Sequence, residues 1–513
     1  MAENVAPFSI TAPGYWGLNT QDAPVDMDAK FCLEATNCVI DKYGRIGARK
    51  GWAKAHTANT DLSTSDVTCI GEVVQNDGTR TTVATGGAFL FKHSGTTLTT
   101  LTYGGGGVAP TISASNWKLV QLGGVGVFFQ RGYDPLIFDP TVSTTTFRRL
   151  SEKAGYTGSV PLANCAVSAY GRIWCADTAT DKNTVTWSDT LTTHLWTAGS
   201  AGSLNLLGVW PSGGDEIVAL AAHNGKLIIF GRKQTLIYTG ASTPSTMTLE
   251  DSLTNIGCVA RDSVQNTGED IIFLSDSGVR SLTRTIQEKS APLRSLSRNV
   301  HNDVQAYITA ETLANVKSGY SPEDAFYVIT FPASSITYCF DLRAVLQDGS
   351  ARATTWTSIA PKCFAYTKAR KFYIGMAGYI GTHSGYVDDA SSYRLNYYTP
   401  WLDLGNPIQT SILKRLIATI VSVGSQSIVF KWGFDFVSAT MSQAITMASV
   451  GTAAEYGSAE YGIAEYVGNF SIRTASATPG GSGRVVQIGI EAQINGSAVS
   501  IQKLDIYAKE GRV

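Results

Sequence analysis

Short apolar runs separated by turn residues recur along most of the chain. Near its middle, apolar runs at residues 217–222 and 227–230 flank Asn224-Gly225, and a third run follows at 235–239. Asn-Gly between two apolar runs is the strongest short signal of a β-hairpin, because both residues tolerate the positive φ of a type I′ turn. The pattern therefore predicts successive antiparallel strands in this stretch.

The next stretch repeats this plan. Apolar runs at residues 260–264, 271–274 and 279–282 are separated by turns at 266–268 and 276–278. Two successive groups of strands of similar length predict repeated units of one sheet each. The second turn lies in a Ser-Asp-Ser-Gly sequence that partly resembles the Asp-box of sialidase-like propellers, but an ordinary Asp-x-Gly hairpin explains it more simply.

Similar hairpin signals recur through residues 61–394, with turns about 43 to 55 residues apart. Four strands per unit at such a spacing are typical of a β-propeller. We therefore predict an all-β fold with a propeller of about seven blades. A pair of β-sandwiches is the alternative, because sandwiches also have closely spaced strands. The turns are at Asn76-Asp77-Gly78, Gly123-Gly124, Tyr170-Gly171, Asn224-Gly225, Thr267-Gly268, Pro322-Glu323 and Lys368-Ala369.

One segment interrupts the strand pattern. Residues 308–320 are rich in helix formers, with Thr309 as a candidate cap and Gly319 as a stop signal. We predict a helix there that connects two blades.

The two ends of the chain differ from the repeats. Residues 1–60 predict an N-terminal arm that packs on a platform rather than forming a domain of its own. Residues 395–513 alternate apolar and polar positions, with a hairpin signal at Asn495-Gly496, and predict a C-terminal β-sandwich or platform domain. The propeller would occupy residues 61–394.

An unusual repeat lies within the C-terminal segment. Ala-Glu-Tyr occurs three times at five-residue intervals, a period that matches neither helix nor strand. Because tyrosine is favoured at protein interfaces, Tyr456, Tyr461 and Tyr466 are candidate partner contacts. The alternative is an expanded surface loop.

Composition agrees with a turn-rich β protein. Of the 513 residues, 43% are hydrophobic and only 16% are charged, which is below the usual quarter, and 51 are glycine. The net charge of −1 gives no overall basic field that would indicate tight nucleic-acid binding.

The eight cysteines are scattered, mostly inside apolar runs, without a CxxC motif. We expect buried, reduced thiols in a protein made in a cytosol, rather than disulfides or a zinc site. The six histidines also lack metal-ligand spacing. We expect no signal peptide, because the first residues lack a basic region and an apolar core, and no membrane span, because no apolar run reaches about 18 residues.

No phosphate loop and no GxSxG elbow occurs in the sequence. Acid pairs at residues 269–270, 323–324 and 388–389 could serve glycoside hydrolysis, which needs two carboxylates about 5 to 10 Å apart. All three pairs lie in turn-like contexts, where solvated carboxylates are normal. We predict that the protein is not an enzyme and has no catalytic, cofactor-binding or metal-binding residues.

Basic residues cluster near the N-terminus, at Lys42, Arg45, Arg49, Lys50 and Lys54. They could contact phosphate or an acidic partner surface. The alternative is a solvated face of a β-ribbon.

The order of several motifs resembles the nozzle, or distal tail tube, proteins of short-tailed bacteriophages. The likeness spans nearly the whole chain. Its motifs are Gly17-Leu18-Asn19-Thr20, Ala35-Thr36-Asn37-Cys38-Val39, Arg45-Ile46-Gly47-Ala48-Arg49-Lys50-Gly51, Ile228-Ile229-Phe230-Gly231, Ile237-Tyr238, Gly257-Cys258-Val259-Ala260, Phe273-Leu274-Ser275, Gly278-Val279, Trp401-Leu402-Asp403-Leu404-Gly405, Lys414-Arg415-Leu416 and Gly511-Arg512.

This resemblance implies a propeller and a β-rich platform, assembled as a ring of typically six subunits below the tail adaptor ring. The ring would first close the channel through which genome DNA leaves and would then let the DNA pass. Its contact with the DNA would be transient and non-specific. Tail fibres or a needle would attach around it. The protein would be a structural component of the virion tail, made in the host bacterial cytoplasm. A near-neutral chain suits a channel in which DNA slides, because each neutralised phosphate adds affinity.

Two other function classes stay open from the residues alone. A propeller glycosidase or glycan-binding module for a host surface polysaccharide would hold paired carboxylates in its central pocket. A cellular scaffold propeller would bind a peptide across its blades.

Overall fold

The computed structural model of the chain describes residues 5–287, 295–404, 409–422, 424–447 and 471–511. Regular structure within these residues is mostly β-strand, which confirms the all-β prediction. Six separate sheets of three to five strands, together with one end of a nine-stranded sheet, form a β-propeller.

We call the six separate sheets blades 1 to 6, in chain order. In order across each sheet, their strands are Val67–Val74, Arg80–Gly86, Phe89–Ser94 and Thr97–Thr100 in blade 1; Lys118–Leu122, Val125–Gln130, Tyr133–Phe138, Thr146–Arg149 and Thr102–Tyr103 in blade 2; Cys165–Ala169, Arg172–Ala176, Thr184–Trp187 and Gly202–Asn205 in blade 3; Ile217–His223, Lys226–Gly231, Thr235–Thr239 and Thr248–Leu253 in blade 4; Gln265–Asn266, Ile271–Ser275 and Gly278–Ser281 in blade 5; and Cys363–Tyr366, Phe372–Met376, Tyr379–His383 and Trp52–Lys54 in blade 6.

The nine-stranded sheet, called here the shared sheet, links the propeller to the rest of the protein. Its first four strands lie between blades 5 and 6, and its other five lie outside the propeller. In order across the sheet, the strands are Lys317–Ser321, Phe326–Phe331, Ile336–Val345, Ala351–Trp356, Glu34–Thr36, Tyr393–Tyr398, Val486–Ile494, Gln426–Phe434 and Met441–Met447.

The prediction of about seven blades is wrong by one. Each of the predicted turns joins the first two strands of a sheet, but the turn at Pro322-Glu323 belongs to the shared sheet. That unit does not end as a separate blade, because Thr355 pairs in parallel with Thr36 and the hydrogen bonding continues beyond it. Six separate blades result, and the ring is closed by contacts of the first strand of blade 6 with that of blade 1.

A seven-stranded sheet made from both ends of the chain lies outside the propeller. It shares one hydrophobic core with the outer part of the shared sheet: Leu416 and Ile506 on one side pack in the same cluster as Ile428 and Ile490 on the other. Strand Val486–Ile494 lies deep in this core, since seven of its nine residues are buried. The strands are Val5–Thr11, Cys38–Ile40, Ile46–Ala48, Ser411–Ser422, Ser471–Ala477, Ser482–Gly483 and Val499–Glu510.

The remaining elements of the described residues are short. Gly17–Leu18 and Phe31–Cys32 form a two-stranded parallel sheet. The α-helices are Leu282–Gln287 and His301–Ala310, and the 3₁₀ turns are Leu150–Glu152, Pro244–Thr246, Arg261–Ser263, Arg298–Val300, Leu313–Asn315 and Pro332–Ser334. None of these helices is long and apolar enough to cross a bilayer.

The hairpin at Asn224-Gly225 is confirmed. Strands Ile217–His223 and Lys226–Gly231 pair antiparallel, with His223 opposite Lys226. Both turn residues have positive φ, 47° for Asn224 and 75° for Gly225, as a type I′ turn requires.

Replacing Gly225 with alanine should therefore destabilise the protein by about 1 kcal/mol, because an L-residue pays for the left-handed conformation. The space around Gly225 is open, so the backbone alone sets the cost. Gly208→Ala is the matched control: its surroundings are equally open and its φ is not positive. Urea unfolding of both variants tests this, and equal losses of stability would contradict it.

Two predicted elements are wrong. The predicted helix at 308–320 gives way to strand Lys317–Ser321, which pairs with Phe326–Phe331, while the actual helix ends at Ala310. Ladder pairing and packing override helix propensity here, since Gly319 lies directly against Phe364. The predicted strand at 260–264 is instead the 3₁₀ turn Arg261–Ser263.

The predicted division at residues 60 and 394 stays a prediction. Segments from all three predicted parts pair with one another. Thr36 lies between Thr355 and Asn396, and Trp52–Lys54 completes blade 6.

Candidate functional site

The basic residues near the N-terminus do not form one continuous basic face. Lys42 lies exposed, with its ammonium 5.0 Å from the centre of the Tyr43 ring. Arg45 packs on the same ring and bonds to Asp41 at 2.8 Å. This turn therefore keeps two basic side chains and an aromatic ring together at the surface.

Lys50 and Lys54 are engaged within the protein. The Lys50 ammonium lies 2.9 Å from Asp324, and that of Lys54 lies 2.8 Å from Asp389. Both pairs connect the N-terminal segment to turns of the propeller region.

Arg49 is fully buried, so the structure removes it from the candidate contact surface. Its guanidinium makes a two-pronged bond with Asp388, at 2.8 and 2.5 Å. It also donates to Asn37 and Ser358 and lies 4.1 Å from the centre of the Tyr393 ring. Arg49 is thus an internal clamp between the N-terminal segment and residues more than 300 positions away.

The predicted tyrosine contacts cannot be located. Tyr456, Tyr461 and Tyr466, with the whole Ala-Glu-Tyr repeat, lie outside the described residues. The same holds for Gly405 and Arg512 of the motifs named above.

The acid pairs considered for glycoside hydrolysis are largely bound by neighbouring groups. Asp388 pairs with Arg49, and Asp389 and Asp324 pair with the lysines described above. Asp270 accepts a hydrogen bond from the Ser281 hydroxyl and from a backbone amide. These carboxylates hold turns together.

The propeller axis contains a charged cluster that sequence reasoning missed. Asp262, in the turn before blade 5, binds Arg261 at 2.6 Å, Lys317 at 2.7 Å and Lys118 at 3.3 Å. The Asn116 amide donates to the same carboxylate at 2.8 Å. We call these five residues the axial cluster.

The axial cluster connects opposite sides of the ring. Lys118 belongs to the first strand of blade 2, and Lys317 to the first strand of the shared sheet. Arg261 also donates to the backbone and side-chain oxygens of Asn164, just before blade 3. Charged residues at the start of apolar first strands were the available signal, because first strands face the axis of a propeller.

The electrostatics of the cluster follow from its burial. Desolvation alone would raise the pKa of Asp262, but Arg261, Lys317 and Lys118 hold that pKa well below its usual range. Burial lowers the pKa of Lys317, with Asp262 acting against it. The carboxylate is thereby fixed in its charged form as a structural centre.

Two cavities adjoin the cluster. One, of about 590 Å³, opens among blades 2, 3 and 4 and is lined by Arg131, Asp177 and Arg261. Asp177 there binds Lys182 at 2.6 Å as well as Arg131. The other, of about 290 Å³, lies along the first strands of blades 1, 2 and 6 and of the shared sheet.

The cysteines and histidines form no reactive or metal-binding group in the described residues. All eight cysteines are unpaired, and all but Cys69 are buried. Burial raises the pKa of Cys258 to about 11 and that of Cys165 to about 12, so both stay protonated thiols.

His383 introduces a pH dependence. It is buried in blade 6, stacked on Trp356, and burial together with the charge of Lys50 lowers its pKa to about 3. In the unfolded chain the His383 imidazole takes up a proton near pH 6.5, whereas in the folded protein it stays neutral at that pH. The free energy of unfolding should therefore fall as pH drops below about 6.5, by up to about 1.4 kcal/mol per pH unit.

His383→Phe should reduce that slope, to which His56 and His194 also contribute because burial lowers their pKa as well, and His301→Gln, at a half-buried helix start, should not. Urea unfolding between pH 7 and 5 measures both. An unchanged slope in His383→Phe would contradict the assignment.

No family model and no curated protein matches the chain. Some solved structures do match the chain, and two of them are WD40 domains. The WD40 domain of Neurospora crassa Pan2 is 11% identical over 66% of this chain and 98% of its own, with a TM-score of 0.39. The WD40 domain of Toxoplasma gondii coronin is 8% identical over 68% and 87%, with a TM-score of 0.36.

A third match is the extracellular domain of a hybrid two component system from B. thetaiotaomicron. It is 12% identical over 67% of this chain, with a TM-score of 0.36, and the match covers 42% of that structure. Such similarities concern the fold and say nothing about function.

Proposed function

We propose that this chain is a structural, non-enzymatic subunit of the tail of a short-tailed bacteriophage. In this proposal it is a nozzle protein whose copies form a ring, typically of six, that closes and then conducts the genome-ejection channel. The seven-stranded sheet and the outer part of the shared sheet would be its platform.

The observation that carries the proposal is where the N-terminal motif residues lie. They are at the seam between the propeller and the platform. A Cβ on Gly17 would lie 2.8 Å from the backbone of Ala353, and one on Gly51 would lie 1.9 Å from the carbonyl oxygen of Val387. Asn37 is buried there as well. Residues of the N-terminal motifs that resemble nozzle proteins therefore lie where the two parts of the structure meet, which supports the proposal.

The axial cluster bears on where DNA would pass. Because Asp262 and its cations cross the axis of the propeller, the conduit in this proposal is the opening enclosed by several copies and not the interior of one propeller. A virion adaptor would bind above such a ring, and fibres or a needle around it.

The glycan-directed alternative receives less support. Within the described residues, one carboxylate of the pair at 323–324 and both carboxylates of the pair at 388–389 form ion pairs with lysine or arginine, whereas catalysis needs a carboxylate free to titrate near neutral pH. We therefore favour the structural role.

Cryo-electron microscopy of purified virions tests the proposal. We expect density for this propeller and platform in several symmetry-related copies around the distal tail channel. Virions that lack the protein by mass spectrometry, or that carry it away from the channel, would contradict it. Release of reducing sugar from host polysaccharide by the purified protein would favour the glycosidase instead.

A further inference from the structure

The smaller axial cavity, of about 290 Å³, has an excess of positive charge. Lys118, Lys317 and Asp262 line it directly, and Arg261 lies behind Asp262. Three cations share this single carboxylate. Glu72 also lines the cavity, and its negative charge offsets one of the positive charges. Its carboxylate accepts a hydrogen bond from the backbone amide of Lys368. Among the residues that the structure describes, one positive charge is left unbalanced in this cavity.

Burial makes this excess costly. The side chain of Lys317 is 6% exposed and that of Arg261 is 7% exposed, so water screens neither charge well. Removing a cation from water without a counter-charge costs several kcal/mol. A mobile anion in the cavity would remove that cost.

The hydrogen-bond donors point to the same conclusion. An ammonium group has three N–H donors. Among the described residues, Lys317 donates only to Asp262, at 2.7 Å, and Lys118 only to the same carboxylate, at 3.3 Å. Each lysine therefore keeps donors for an acceptor in the cavity that both of them line.

We propose that the axial cavity binds a small oxyanion of the phosphate or sulfate class between Lys118 and Lys317. Several oxygens on one anion can accept from both ammonium groups at once, which a single halide does less well. The volume accommodates such an ion together with water. This site is independent of any role in a tail, because it lies inside one chain.

Inorganic phosphate is the probe for the test. At constant ionic strength, replacing chloride with phosphate should raise the melting temperature of the full chain, with a saturable dependence on concentration. Titration calorimetry should give one site per chain. A melting temperature that phosphate and chloride affect equally would overturn the proposal.

Lys118→Met is the main variant, because its side chain is one-third exposed and the Asp262 pairs with Arg261 and Lys317 persist. We expect phosphate affinity to fall by about tenfold or more, the effect of one charge-assisted hydrogen bond. Lys226→Met, at the exposed pair with Glu250, is the matched control and should keep the affinity. Equal loss or equal retention in both variants would show surface binding only and overturn the site.

Discussion

Replacing Arg49 with methionine should lower the free energy of unfolding by about 3–5 kcal/mol. Methionine keeps much of the side-chain length but removes every donor, which leaves Asp388 with an uncompensated charge that is only 11% exposed. The Arg49 clamp connects the N-terminal segment to the end of blade 6 and to strand Tyr393–Tyr398. The variant should therefore loosen the seam, and urea unfolding followed by tryptophan fluorescence would measure the loss.

Lys54→Met is the matched control, because Lys54 joins the same segment to the neighbouring residue, Asp389. Both partners of that pair are more than a third exposed, and water screens such pairs, so we expect a far smaller change. Equal effects of the two variants would mean that burial does not distinguish the pairs and would refute the role assigned to Arg49.

The Arg49 clamp also illustrates what the sequence can and cannot predict. A cluster of Lys and Arg in a short segment indicates a local positive charge, but it does not show which of the side chains faces the core. Asp388, the partner of Arg49, is 339 residues away in the chain. Local patterns carry no information on such pairing, and the segment alone therefore suggested a surface for all five residues.

The hairpins could be predicted because they depend on residues that are adjacent in the chain. A turn such as Asn224-Gly225 depends on the φ of two adjacent residues and on apolar runs directly beside it. The same local logic gave the remaining turns of the propeller. It could not give the shared sheet, because the pairing of Thr36 with Thr355 and Asn396 depends on chain segments that meet only in the folded protein.

The axial cluster lies between these two cases. Arg261-Asp262 follows an apolar run, and the sequence pattern there predicts a strand, in which the two side chains would point to opposite faces. The 3₁₀ turn instead brings both into the same ion-pair network. Knowing that first strands face a common axis would have indicated Lys118 and Lys317 as candidates, but not the carboxylate that they share.

Asp262→Asn should destabilise the protein by about 3–5 kcal/mol at pH 7, because three cations lose their only shared carboxylate. Asparagine has nearly the same shape, so lost charge rather than a cavity causes the effect. Asp276→Asn is the control: its pair with Arg232 is exposed, and we expect a change within about 0.5 kcal/mol. Urea unfolding compares the two variants.

The pH dependence separates this explanation from a simple packing defect. The pKa of Asp262 in the folded protein lies well below its value of about 3.9 in an unfolded chain. Its contribution is therefore complete above about pH 5 and is lost as pH falls through the folded-state pKa. The stability gap between the unsubstituted protein and Asp262→Asn should stay constant from pH 7 to 5 and narrow below about pH 4. A gap that stays the same at pH 3.5 and pH 7 would show that the carboxylate charge is not what stabilises the propeller axis.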